Sequence, residues 1–131
     1  MKIAVTSTAP DIEASLDPVF GRCAYFVIVD ADTMEWETFP NQAAGAGGGA
    51  GIQAAQFVAA KEAEIVITGN IGPNAFGTLS AGGVKVFTAA SGSVREAVES
   101  YKAGTLNEMS SPNVGGHFGM GGGRGRGRGR R

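Results

Sequence analysis

Four side chains could serve as soft metal ligands or nucleophiles: Cys23, Met109, His117 and Met120. No Cys-x-x-Cys and no His-x-x-x-His spacing occurs, so a closed zinc site is not expected. Cys23 directly follows Arg22, at what reads as a loop–strand junction. A neighbouring guanidinium favours the thiolate, the form that binds metals. The competing reading of a single cysteine is an inert, buried small hydrophobe. His117 is the sole histidine and stands in a glycine-rich C-terminal stretch. A Ser/His or Cys/His catalytic pair would have to recruit it from there. No catalytic constellation emerges, and the chain reads as a binding protein, not an enzyme. The acidic residues fall mostly on predicted helix surfaces and turns, where solvation is their ordinary role. Asp17, close to the Arg22 turn, is the exception.

Glycine supplies a second kind of chemistry. The chain has 22 glycines, clustered at Gly45–Gly51 and Gly115–Gly129. Unsubstituted backbone lets a bulky ligand approach closely. Where such a loop opens a helix, the free N–H groups attract anions. Three segments have this character: the Phe20-Gly-Arg-Cys23 turn, the Asn41–Gly51 loop and Gly69-Asn-Ile-Gly-Pro-Asn74. Gly45-Ala-Gly-Gly-Gly-Ala50 loosely matches a dinucleotide fingerprint. It follows a hairpin, however, and the next strand does not end in an acidic residue, as a dinucleotide fold requires. No Gly-x-x-x-x-Gly-Lys-Ser/Thr is present, which excludes a P-loop.

The elements that must position these segments are legible from periodicity. Ile3-Ala-Val5 and Tyr25–Val29 read as strands, and Met34–Phe39 as an edge strand with one wet face. Ile52–Lys61 has helical spacing, and Ala63–Ile67 is a buried strand. Pro73 opens a helix running to about Ser80, stopped by Gly82-Gly83. Val84–Phe87 is a strand, and Ser93 caps a last helix over Val94–Lys102. The order β-β-β-α-β-α-β-α predicts an α/β fold with helices on both faces of the sheet. The ligand edge of such a sheet lies at the ends of its parallel strands, where the three glycine segments would meet.

Charge divides the chain. All 12 acidic and six basic residues precede Ser111, giving that part a formal charge of −6. The last eight residues carry five arginines in Arg124-Gly-Arg-Gly-Arg-Gly-Arg-Arg131. Residues 1–109 are therefore expected to form one domain. Residues 110–131 are expected to be a disordered Gly/Arg-rich tail, since they cannot bury enough apolar area to offset chain entropy. One cysteine makes no internal disulfide, and neither a signal peptide nor a membrane-spanning run is evident. The expectation is a cytoplasmic protein without membrane attachment.

Several motifs, in order, resemble one family. Ser15-Leu-Asp-Pro-Val-Phe-Gly-Arg-Cys-Ala-Tyr-Phe-Val-Ile-Val-Asp30 is similar to its Phe-Gly-Arg turn and aromatic strand. Gly69-Asn-Ile-Gly-Pro-Asn-Ala-Phe76 is similar to its Gly-x-x-Gly-Pro-Asn-Ala loop. Asn41 with its glycine-rich helix start, and Val94–Leu106, complete the pattern. The resemblance is to the dinitrogenase iron–molybdenum cofactor biosynthesis and carrier family, over about Met1 to Leu106. It implies a ribonuclease H-like, five-stranded mixed sheet. It also implies non-enzymatic carriage of an iron–sulfur, iron–molybdenum or related metal–sulfur cluster between donor and acceptor proteins. The site residues it carries over are Phe20, Gly21, Arg22, Cys23, Asn41, Gly72, Pro73 and Asn74, with Cys23 and His117 as metal-ligand candidates. Two other functions compete: a nucleic-acid-binding module working through the Gly/Arg tail, and a small-ligand regulatory domain using the glycine loop.

Overall fold

The computed structural model describes residues 1–45 and 49–113. Strands β1 (Lys2–Ser7), β2 (Tyr25–Asp30) and β3 (Trp36–Pro40) come first. A 3₁₀ turn over Gln42–Gly45 leads to helix α1 (Ala50–Ala60). Then follow β4 (Ile65–Thr68), α2 (Pro73–Ala81), β5 (Lys85–Thr88), α3 (Val94–Lys102) and β6 (Asn107–Glu108). The strands form a single mixed sheet in the order β3-β2-β1-β4-β5-β6. β1 runs antiparallel to β2 and parallel to β4, β4 parallel to β5, and β6 antiparallel to β5.

β1, β2 and β4 are apolar because both faces are covered. Alternation sends Ala4, Phe26, Ile28, Val66 and Val86 to one face, where they pack with Ala54, Ala55 and Val58 of α1 and Ala75 and Leu79 of α2. Ile3, Val5, Val27, Val29, Ile65 and Ile67 point the other way, onto Val94, Ala97 and Val98 of α3. The two cores thus share one sheet, and β1 lies in its middle.

The expected α/β architecture and the helix order are present, with two corrections. The sheet has six strands, not five. β6 is a polar pair, Asn107–Glu108, held on Phe87 and Thr88 by backbone pairing. Both residues are exposed, so no hydrophobic alternation announces the strand. The hairpin strand begins at Trp36 instead of Met34, because Met34 has φ 63 and closes the turn onto Asp30. Among the described residues no helix is long and apolar enough to cross a membrane.

Candidate glycine-lined cleft

At the end of the sheet where β1 and β4 stop, two buried threonines fasten the strands. Thr6 Oγ1 donates to the Asp17 carbonyl at 2.6 Å and lies 3.0 Å from Thr68 Oγ1. The loop from Thr8 to Ala24 is thereby drawn across the strand ends. Its later part is joined to the loop after β4. Phe20 N donates to Asn70 O at 2.9 Å, and Asn70 N donates to Pro18 O at 2.7 Å. A Cβ on Gly69 would sit 2.8 Å from Pro18 O, so only glycine permits this approach.

Phe20 is buried and packs on Phe26 with ring centroids 5.6 Å apart. That leaves Gly21, at φ 93, to turn the chain against the start of α1. A Cβ there would meet Gly51 Cα at 3.1 Å, and one on Gly51 would meet Ala75 Cβ at 3.2 Å. The Phe20–Cys23 turn, the start of α1 and the start of α2 therefore converge through glycine and alanine alone.

Among the described residues, no side chain caps either helix start. α1 begins after Gly49 and α2 after Gly72, with no side-chain cap and no acidic residue in either first turn. Pro73 fills the first turn of α2, where a missing N–H costs nothing. The remaining first-turn N–H groups have no acceptor within their helix. Asn74 is exposed on that turn. The opposite arrangement holds at α3, where Ser93 and Glu96 form a complete capping box.

Arg22 is exposed, and its Nη1 donates to Ala44 O at 2.9 Å, which ties the turn to the loop after β3. Asn41, only 9% exposed, ties it from below. Its Nδ2 donates to Gly21 O at 3.1 Å and to Cys23 O at 3.0 Å, and lies 3.6 Å from Cys23 Sγ. Its Oδ1 accepts from Ala43 N at 3.1 Å, and Asp17 Oδ2 accepts from Ala24 N at 3.2 Å. A groove of about 440 Å³ runs beside Asn41, lined also by Gln53, Phe39 and Phe57.

The expectation that Arg22 makes Cys23 a thiolate is not met. Cys23 is wholly buried in the core under α1 and α2. Burial, followed by the charge of Asp17, pushes its thiol up to about 12, against weaker opposition from hydrogen bonds to Gly21 and Asn41. Among the described residues no three His, Cys, Asp or Glu side chains are grouped to hold a metal ion. His117 and Met120, and the Gly/Arg tail, lie outside the described residues. Met109 packs against the core beside α1 and α2.

Sequence reasoning missed Asn113. Its Oδ1 accepts from Ile71 N at 2.8 Å, and its Nδ2 donates to Gly69 O at 2.9 Å, so it braces the loop before α2. It falls in the stretch that the sequence assigns to the tail. The Ser-Pro-Asn run around it gave no periodic signal.

A mixed sheet with two helix starts converging on one glycine turn at its end defines a small α/β domain. Residues 1–104 match the dinitrogenase iron-molybdenum cofactor family, and the chain belongs to that family. It is similar to the apo form of the orange protein from Desulfovibrio gigas, with 41% identity and a TM-score of 0.83, covering 86% of this chain and 95% of that one. It is also similar to a putative NifB protein from Thermotoga, at 34% identity and a TM-score of 0.75, covering 84% and 94%. An uncharacterised protein from Methanocaldococcus jannaschii is 32% identical over 112 residues, which are 83% of this chain and 92% of that one.

Proposed function

We propose that the protein is a non-enzymatic carrier that holds an anionic metal–sulfur cluster in the glycine-lined cleft and passes it between donor and acceptor proteins. The carrying observation is the convergence of two uncapped helix starts on one glycine turn, without any acidic residue in either first turn. Backbone N–H groups there would donate to sulfido or oxido groups of the ligand, and the helix dipoles favour its negative charge. Arg22 adds a charge-assisted hydrogen bond at the rim. Phe20, Gly21, Asn41, Gly72, Pro73 and Asn74 shape the cradle. Cys23, wholly buried beneath the turn, supports it through packing.

A cluster held mainly by hydrogen bonds and charge can leave without breaking metal–protein bonds, which suits a cargo. Membership of the iron-molybdenum cofactor family and the likeness to an orange protein solved in an apo form support this reading. The order β3-β2-β1-β4-β5, with β4 and β5 parallel to β1, supports classing the sheet as ribonuclease H-like. The test is anaerobic reconstitution with iron, sulfide and molybdate, followed by desalting, elemental analysis and visible spectra. Retained metal in fixed stoichiometry is expected. Loss of all metal on desalting would remove the reading.

A further inference from the structure

We propose that the acidic edge of the sheet at β3 is a docking site for the chain's own Arg-Gly repeat, Arg124–Arg131, added there as an extended strand. β3 ends the sheet, so its outer backbone edge has no strand partner among the described residues. Beside it lies a groove of about 660 Å³, lined by Ile28, Met34 and Trp36 together with the carboxylates Asp30, Glu35 and Glu37 and a single cation, Lys2. Trp36 is 40% exposed, one of two large exposed hydrophobic side chains among the described residues. Glu35 and Glu37 are exposed, and among the described residues their carboxylates form no ion pair or hydrogen bond. An edge with free peptide groups, an open indole and two such carboxylates is a template for a cationic strand.

Three features select the repeat as the occupant. The first is charge: the part of the chain before Ser111 carries −6, and the last eight residues carry five arginines. The second is period. In an extended strand, alternate residues share a face. Arg124, Arg126, Arg128 and Arg130 would then share one, as Glu35 and Glu37 do across the edge. The intervening glycines would fall on the Trp36 side and permit close backbone approach, and Arg131, directly after Arg130, falls on that side too, where its guanidinium can lie over the ring. The third is reach. Asn113 is fastened at the end of β4, three strand positions from β3, about 14 Å at the usual spacing. The ten residues 114–123 can span up to about 33 Å. A chain descending from that end runs antiparallel to β3, whose Pro40 lies beside Tyr25 there.

Trp36 is the only tryptophan, so its emission reports on the edge alone. The full chain and a chain ending at Met120 are compared by acrylamide quenching at low salt. The quenching constant is expected to rise about twofold in the shortened chain. A synthetic Gly121–Arg131 peptide should restore protection saturably, and added salt should abolish it. Glu35→Lys with Glu37→Lys should leave the fold intact by circular dichroism and remove the difference between the two chains. Equal quenching of the full and shortened chains would overturn the proposal. So would protection that appears only as protein concentration rises, which would assign the edge to a second copy. Equal rescue by a peptide of the same composition with its arginines in one block would also overturn strand addition. If RNA bound the tail without exposing Trp36, the repeat would not be seated on the edge.

Discussion

The two hydrogens on the Asn41 amide nitrogen reach carbonyls on either side of Arg22, at Gly21 and Cys23. Asn41→Asp keeps the acceptor for Ala43 N but replaces the donor with a carboxylate facing two carbonyls. Leaving buried groups unpaired costs about 1–3 kcal/mol each. Asn41→Asp should therefore destabilise the protein more than Asn41→Ala, and urea melts of both variants would show it. Cys23 gives a pH signature. Below pH 9.0, its ordinary value, folded and unfolded chains both hold the proton and the thiol's contribution is fully present. Between there and about 12 the unfolded chain releases the proton while the folded one keeps it, so stability falls as pH rises. The loss approaches about 1.4 kcal/mol per pH unit for one group. Cys23→Ser should lack this component, so the stability gap between parent and variant should narrow from pH 8 to 10.5. A constant gap would mean that the thiol titrates normally. The sequence marked Cys23 and Arg22 as neighbours, but adjacency along a turn says nothing about direction. One side chain enters the core and the other leaves it, so the expected thiolate did not follow.

Among the elements, α3 was legible to its last residue because its end signals are local: a Ser93/Glu96 box, a 3.6-residue apolar stripe and Gly104 beyond it. α1 begins at Ala50, two residues before its apolar periodicity, because Gly and Ala carry no hydrophobic pattern. β6 and the 3₁₀ turn depend on tertiary partners and left no trace in the pattern. The glycines divide in the same way between local and tertiary demands. Gly77 lies inside α2, where an added Cβ would meet nothing within 4 Å, whereas one on Gly69 would face Pro18 O at 2.8 Å. Gly77→Ala should raise the melting temperature, since alanine is favoured over glycine within a helix by up to about 1 kcal/mol. Gly69→Ala should lower it, because backbone must move on both sides of the cleft. Thermal melts that shift in the same direction for both variants would show that the close approach of Gly69 to Pro18 is not a constraint.

At the scale of the molecule, the sheet carries both cores and the candidate site sits where its strands stop. The three glycine segments were legible as one cluster because the parallel crossovers dictate a common edge. The braces behind them, Thr6–Thr68 and Asn113, were not, since each joins residues remote in sequence. The charge split sets a demand on any anionic ligand: a body of net −6 repels it, so binding must draw on local donors and on Arg22. A ligand that binds only the folded chain adds stability by mass action, about 2.7 kcal/mol when its free concentration is 100 times its Kd. Protein reconstituted with iron, sulfide and molybdate should therefore melt at a higher temperature than the metal-free protein. Arg22→Ala should leave the metal-free melting temperature nearly unchanged, because an exposed charge contributes little to stability. It should shrink the increment gained on reconstitution and lower the metal retained after desalting. Gly77→Ala, whose added Cβ would meet nothing within 4 Å, should raise both melting temperatures by the same amount and keep the increment. If Arg22→Ala lowers the metal-free temperature as much as the reconstituted one, then Arg22 only fastens the loop through Ala44 and has no part in holding the ligand.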